Sequence, residues 1–317
     1  MVMLCPGQGA QTIGMGKAWA EGSAAARAVF DRADALLGDR LGAPLSAICF
    51  GSAAGAADRI NRTDVSQPAI YTASMASWAG ICERLGVGPG EAPVVATAGL
   101  SLGEYTALTI AGAMSFEDGL ELVALRGRAM QDAAEASAGG MVALIGADEA
   151  QAASVCEQAG AGGEVLVCAN FNAPGQIVLS GHTSACDRAA TVAAGLGLRA
   201  TVLTVAGAFH SPLMAPAAAR LAAALDKTAI GVPRCVVMSN VSHAPHAADP
   251  GAIRAGLVGQ LTKPVRWAEC CSWLSGSAGT LGKGAGVEFH ELAPGKTLAG
   301  LYRRIDKGVK VVTHDEP

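Results

Sequence analysis

Aromatic side chains are scarce in this chain. Phe, Trp and Tyr make up 4% of its 317 residues, while 51% are apolar, so a core must be filled mostly by Ala, Val and Leu. Basic charge is scarce as well: 23 Lys and Arg face 27 Asp and Glu, a net charge of −4 with His neutral, and no Lys/Arg-rich run occurs. A nucleic-acid-binding surface is therefore not expected. No uninterrupted apolar span reaches the roughly 18 residues of a membrane helix. The start, Met1-Val2-Met3-Leu4-Cys5-Pro6, lacks the basic segment and cleavage pattern of a secretory signal, so neither membrane insertion nor export is expected. Cys-x-x-Cys pairs are missing too. The nine cysteines (Cys5, Cys49, Cys82, Cys156, Cys168, Cys186, Cys235, Cys270 and Cys271) are odd in number, and most sit in apolar runs. Reduced, buried thiols in a cytosol-like compartment are the expectation. The six histidines show no ligand spacing. His243 and His246 lie three apart in a Pro-broken, Asp-flanked loop, which reads as two surface residues, so no metal is expected.

Against these absences stands one strong local pattern. The apolar run Ala92-Pro93-Val94-Val95-Ala96-Thr97-Ala98 leads into Gly99-Leu100-Ser101-Leu102-Gly103, with a helix-compatible stretch behind it. The glycines permit a tight turn that lifts a serine hydroxyl clear of the backbone, which makes Ser101 a candidate covalent nucleophile.

The length suits one large α/β domain or two smaller ones. A short apolar strand opens the chain, then a turn, Gly7-Gln8-Gly9-Ala10-Gln11, then a helix around Met15 to Phe30 and further helical stretches to Leu85. Helices are predicted from Glu104 to Ala111 and from Ser115, with Glu117 and Asp118 in its first turn, to about Ala134. This strand–turn–helix alternation reads as an α/β fold with a mostly parallel sheet. Residues 139–205 change pattern. Met141–Gly146 is a predicted strand, Glu149–Ala159 a helix, Val165–Ala169 and Gln176–Ser180 two strands around Asn172-Ala173-Pro174-Gly175, Ala185–Leu196 a helix and Arg199–Val205 a strand. That β-α-β-β-α-β order is ferredoxin-like, and it predicts a small domain (139–205) inserted into a large one (1–138 and 206–317). Beyond it come a strand Cys235–Ser239, a helix Ala252–Leu261, a helix after Val265-Arg266-Trp267, a strand Val287–Leu292 and a last helix after Lys296. Residues 275–286, rich in Gly and Ser, read as a surface loop.

Ser101 needs a base, because a serine hydroxyl barely ionises at neutral pH. His210 follows an apolar strand and the turn Ala206-Gly207-Ala208, a position where α/β enzymes place catalytic side chains. On spacing alone, a capping or core histidine remains the simpler reading. No acid presents itself to orient the imidazole; Glu291 and Asp306 lie in unrelated contexts, and a backbone carbonyl would serve as well. The oxyanion calls for two N–H donors. Leu102, next after the nucleophile, supplies one; the Gly7–Gln11 turn suits the other, although it also fits an ordinary strand–helix turn. Arg126, in Leu125-Arg126-Gly127-Arg128, matches a carboxylate bidentately, but alone it reads as one more solvent-facing helical arginine.

Taken together the chain resembles the malonyl-CoA:acyl carrier protein transacylases of dissociated fatty acid synthesis, from about residue 2 to residue 306. Seven blocks carry the resemblance in order: 6–11, Gly99 to Tyr105, Leu125 to Met130, Ala169 to Gln176, Gly207 to Met214, Gln260 to Trp267, and Pro294-Gly295-Lys296. The resemblance implies an α/β-hydrolase-like core with an inserted ferredoxin-like domain. It implies a malonyl group carried on Ser101, His210 as base, a main-chain carbonyl at Gln260 orienting His210, and the N–H groups of Gln11 and Leu102 as the oxyanion hole. Arg126 would pair with the malonyl carboxylate, and Asn170, Met130 and Phe209 would line the acyl site. Phe before the histidine goes with malonyl in related modules, since a ring beside the α-carbon leaves little room for a branch methyl. Leu100 departs from the commoner His at that place, which predicts a drier pocket favouring transfer over hydrolysis. The implied cycle is ping-pong and needs no cofactor or metal. Malonyl-CoA and acyl carrier protein are the expected partners of a cytoplasmic monomer (or of an organelle stroma, had a transit segment been trimmed). Arg303, Arg304, Lys307, Lys263 and Arg266 are candidate carrier contacts, and ordinary solvated charges fit each equally. Three other readings remain: an acyltransferase serving a polyketide or malonate decarboxylase carrier, a non-catalytic carrier-binding protein, and a plain serine hydrolase.

Overall fold

The computed structural model describes residues 1–282 and 286–317. Its strands in chain order are β1 (Val2–Cys5), β2 (Ala96–Gly99), β3 (Gly139–Ile145), β4 (Leu166–Ala173), β5 (Gln176–His182), β6 (Arg199–Val202), β7 (Val236–Val237), β8 (Phe289–Leu292) and β9 (Val311–His314). β1 is Val-Met-Leu-Cys with every residue buried, the mark of a central strand covered on both faces. It lies at the middle of an all-parallel sheet of order β7-β2-β1-β8-β9. The carboxyl ends of β1, β2 and β7 therefore open side by side, and three loops start from one edge: Pro6–Gln11, Leu100–Leu102 and Met238–Asn240. In open α/β sheets that edge is where ligands bind.

The second sheet is antiparallel, of order β4-β5-β3-β6. With helices Glu149–Ala159 and Thr183–Gly195 it completes the expected β-α-β-β-α-β run. The fold is α/β, with a five-stranded parallel sheet and a smaller antiparallel one. The two parts are stitched together through β4. Asn170 and Val265 form a parallel bridge, Phe171 N–H donates to Val265 O at 2.9 Å, and Val265 N–H donates to Ala169 O at 2.8 Å. Arg266 then lies over the Phe171 ring, 4.0 Å from its centroid.

Two long helices form the floor behind the site. Thr63–Leu85 is buried along most of its length. Phe116–Glu135 starts, as the sequence implies, at Ser115, whose hydroxyl accepts the Asp118 N–H at 3.0 Å. Gly127 lets the pair close up: a Cβ there would stand 2.7 Å from the Thr63 carbonyl oxygen.

Several expected elements differ. The helix expected over 15–30 is two, Lys17–Gly22 and Ala24–Leu37, because Ser23 turns extended and caps the second through Ala26 N–H. The strand expected to end at Val205 stops at Val202 on an exposed edge. β4 runs on to Ala173, leaving Pro174-Gly175 as the turn. Of the loop expected over 275–286, residues 275–281 are helical, part of Trp267–Leu281; Trp267, Cys270, Cys271 and Leu274 anchor the helix just before this stretch, and Ala278 and Leu281 within it pack against the same core. Residues 283–285 of that expected loop lie outside the described residues. His246 is not a surface residue. Its Nε2 meets Glu104 Oε1 at 2.6 Å, with its side chain 4% exposed, because its loop folds back over the helix Gly103–Ile110. His243 is exposed, as expected.

Candidate active site

Ser101 takes φ +52, a conformation that costs a non-glycine residue roughly 1 kcal/mol or more and persists only when its surroundings enforce it. The enforcement is visible. A Cβ on Gly99 would stand 1.9 Å from the Gly103 carbonyl carbon, and one on Gly103 would stand 2.1 Å from the Cys5 carbonyl oxygen. The elbow is thus folded tightly on itself and onto the end of β1. Its backbone is pinned from β7: Ser101 N–H donates to Asn240 Oδ1 at 2.6 Å, and Asn240 Nδ2 donates to the Gly99 carbonyl at 2.8 Å. Among the described residues, the N–H groups of Leu102 and Gln11 have no acceptor. Two free donors at the ends of neighbouring strands are what an oxyanion requires.

His210 also has positive φ, +56. Its Nε2 lies 2.9 Å from Ser101 Oγ, although 109 residues separate the two, and its Nδ1 lies 2.7 Å from the Gln260 carbonyl. A carbonyl only accepts, so Nδ1 carries the proton and Nε2 offers its lone pair to the serine. Burial lowers the imidazole pKa to about 4; the positive Arg126 pushes the same way and the Gln260 carbonyl opposes. The base is therefore neutral across the physiological range. Glu291 and Asp306 orient nothing here. The Glu291 carboxylate accepts the N–H groups of Leu298 and Ala299 at the start of the last helix, and Asp306 accepts from Gly308.

Arg126 is 1% exposed. Its Nη1 donates to Gln67 Oε1 at 2.6 Å, and its Nη2 to Gln260 Oε1 at 2.9 Å and to Ser101 Oγ at 3.0 Å. Burial lowers its pKa, and its Nε–H has no partner among the described residues. The alternative of an ordinary solvent-facing arginine is excluded by the packing of its helix against Thr63–Leu85.

A cavity of about 850 Å³ opens above these groups, with Ser101, His210, Phe209, Met130, Asn170 and Gln11 on its walls. Arg126, Leu102 and Gln260 lie just behind the floor, in contact with Ser101 or His210 or next to them in the chain. The structure thus brings Ser101, His210, Gln260, Gln11, Leu102, Arg126, Phe209, Asn170 and Met130 together around one cavity, and leaves Glu291 and Asp306 out of it. It also adds three to which the sequence reading gave no role in the site, Asn240, Gln67 and Glu104, and a fourth, His246, which it placed on the surface. Glu104 Oε2 accepts from Gln260 Nε2 at 2.5 Å and from Asn240 N–H at 3.2 Å. Glu104 sits inside the elbow motif itself, which was the signal available for it. Of the candidate carrier contacts, Arg266 is engaged by Glu149 and Glu269, and Arg304 by Gln176 and the Pro174 carbonyl. Arg303, Lys307 and Lys263 are exposed. Among the described residues no three His, Cys, Asp or Glu side chains converge on a metal-sized site, and no helix is long and apolar enough to cross a membrane.

Comparison with known proteins adds to this geometry. Residues 2–292 match the family model described as acyl transferase domain. The malonyl CoA-acyl carrier protein transacylase of Salmonella typhimurium is 38% identical over 314 residues, covering 98% of this chain and 94% of that protein. The solved malonyl CoA-acyl carrier protein transacylase of Coxiella burnetii superposes with a TM-score of 0.89 at 35% identity, covering 99% of this chain and 93% of the other. A malonyl-transacylase solved in complex with a type II polyketide synthase acyl-carrier protein superposes with a TM-score of 0.88 at 34% identity, over 100% of this chain and 96% of the other.

Proposed function

The chain belongs to the acyl transferase family, and from that premise we propose that it transfers malonyl from malonyl-CoA to the phosphopantetheine thiol of an acyl carrier protein, supplying extender units for fatty acid synthesis. The observation that carries the acyl class is a buried guanidinium 3.0 Å from the Ser101 hydroxyl with uncharged partners. A carboxylate on the acyl group is the natural complement of such a cation. Near full-length similarity to named malonyl CoA-acyl carrier protein transacylases supports the same reading.

In the proposed cycle the malonyl carboxylate pairs with Arg126, with Met130, Asn170 and Phe209 around the acyl group. Ser101 Oγ attacks the thioester carbonyl as its proton passes to His210 Nε2, and the Gln260 carbonyl holds the resulting imidazolium through Nδ1. The oxyanion is held by the N–H groups of Leu102 and Gln11. The carbon–sulfur bond breaks, His210 returns the proton to the leaving thiolate, and coenzyme A departs from a malonyl-serine. The carrier thiol then runs the same steps in reverse. One thioester is exchanged for another, so the cycle calls for no cofactor or metal. In this reading residues 139–205 form the inserted domain that walls one side of the cleft, 1–138 and 206–317 form the catalytic domain, and the enzyme works as a cytoplasmic monomer. A polyketide carrier is the second reading, favoured by the likeness to the transacylase solved with a type II polyketide synthase carrier.

Intact-mass measurement after mixing with malonyl-CoA alone tests the proposal. A malonyl adduct on the wild type and none on Ser101→Ala is expected. Release of coenzyme A with no adduct would replace the transferase by a hydrolase, and neither adduct nor release would leave a non-catalytic protein. Competition between fatty acid and polyketide carriers for the loaded enzyme then separates the two carrier readings.

A further inference from the structure

The cation beside Ser101 is hydrogen-bonded only to neutral oxygens among the described residues, with the Tyr105 ring 5.4 Å from its central carbon. Gln67 Oε1, Gln260 Oε1 and Ser101 Oγ take its donors. The carboxylate in the same network, Glu104, makes no hydrogen bond to it: its charge acts from behind Gln260, whose Nε2 donates to Glu104 Oε2 at 2.5 Å and to the Ser101 carbonyl at 3.0 Å. Both amides are fixed oxygen-inward by what lies behind them. The NH₂ of Gln260 faces two groups that only accept, and the NH₂ of Gln67 faces Met130 Sδ at 3.2 Å. Turning either amide round would aim N–H groups at the guanidinium. Gln67, Gln260, Glu104 and Arg126 are all within 1% of complete burial, so little water is at hand to screen the unpaired charge.

We propose that Gln67, together with Gln260, sets the acyl selectivity of the site: the two amides position Arg126 beside Ser101 without pairing it directly with a carboxylate, so that only a carboxylate-bearing acyl group completes the site. This rests on the malonyl reading above. A carboxylate at either amide position would position the guanidinium equally well but would also satisfy it, and would act as a built-in competitor for the acyl carboxylate. Neutrality, rather than hydrogen-bonding capacity, is the property that the two glutamines contribute. Gln67 is the cleaner test, because the main chain of Gln260 also holds His210.

The experiment measures kcat/KM for malonyl-CoA and for acetyl-CoA, as coenzyme A release, in wild type, Gln67→Glu and Gln67→Leu. Gln67→Glu keeps the acceptor and adds the charge; Gln67→Leu removes the acceptor and adds none. The malonyl-to-acetyl ratio is expected to fall roughly a hundredfold in Gln67→Glu, mainly through the KM for malonyl-CoA, and roughly tenfold in Gln67→Leu. A purely structural Gln67 would give the opposite ranking, with the isosteric Gln67→Glu close to wild type, and that ranking overturns the proposal. Thermal unfolding of each variant is recorded alongside. Should Gln67→Glu not fold, the leucine variant decides, and an unchanged ratio in it overturns the proposal. A wild type that takes up no malonyl would instead refute the functional reading itself.

Discussion

Acidification from pH 7 to pH 5 should leave acylation by this enzyme almost untouched. His210 has its pKa lowered to about 4, first by burial and then by the charge of Arg126. At pH 5 about nine-tenths of such an imidazole is still neutral and able to take the serine proton, whereas one at the ordinary 6.5 would be about 3% neutral. The assay is coenzyme A release at limiting malonyl-CoA, because kcat/KM reports the ionisation of the free enzyme. The window stops at pH 5, above the titration expected of the substrate's own carboxyl. Folding must be followed in parallel. The folded-state pKa lies below the unfolded one, so the unfolded chain binds the extra proton between pH 6.5 and 4, and stability falls as pH falls through that window. The full loss, below pH 4, is about 3 kcal/mol, of which about 2 is already gone at pH 5. Tryptophan fluorescence at each pH separates a lost fold from a lost base. Arg126→Gln removes the second of the two depressing influences and should move the acid limb to higher pH, most clearly seen with acetyl-CoA. A rate that falls sigmoidally about a midpoint near 6.5 in folded wild type would refute the assignment of a desolvated, neutral His210 as base.

Phe209→Ser opens room on the cavity wall beside His210 and should raise the methylmalonyl-to-malonyl ratio of kcat/KM about tenfold, within the 1–3 kcal/mol that one methyl is worth in a pocket; an unchanged ratio would remove Phe209 from specificity. Leu100→His places a polar ring on the same wall and should raise thioester hydrolysis relative to transfer, measured as coenzyme A released per malonyl-carrier formed. Equal partition in the two proteins would end the argument for a drier pocket. Glu291→Ala strips the acceptors from the Leu298 and Ala299 N–H groups and should cost about 1–3 kcal/mol of stability, lowering Tm while malonyl loading of Ser101 at 25 °C stays normal. Lost loading in folded Glu291→Ala would mean that the carboxylate reaches the site after all.

What could be read from the sequence was whatever chemistry forces into a short span. The elbow was legible because Gly99 and Gly103 must lie beside Ser101 in the chain for the turn to close, and the β-α-β-β-α-β run because each of its elements carries its own periodicity. The meeting of Ser101 with His210 was not legible, since no local pattern encodes a contact across 109 residues; resemblance to a family supplied it. Asn240 and Gln67 were invisible for another reason. They are ordinary amides whose roles come from neighbours: Asn240 reaches the elbow because β7 pairs with β2, and Gln67 reaches Arg126 because Gly127 lets two helices touch. His246 was misread because a loop with prolines usually stays in water, and here a buried carboxylate, Glu104, drew it in. The stretch 275–281 shows the same override: it continues a helix anchored by four buried side chains before it, and its own Ala278 and Leu281 pack on the core despite a loop-like composition.

The bridge between β4 and Val265 bears on how the two parts of the site keep their places. Asn170 stands on one side of it, and Gln260, which steadies His210, lies a few residues before the other. Prying the two sheets apart would break two main-chain hydrogen bonds and carry Asn170 away from Ser101, His210 and Gln260, which stay together on the large part. The stretch of cavity wall that carries Asn170 is thus tied through the main chain to the segment that steadies the base, and the two are held in register as one edge of the site.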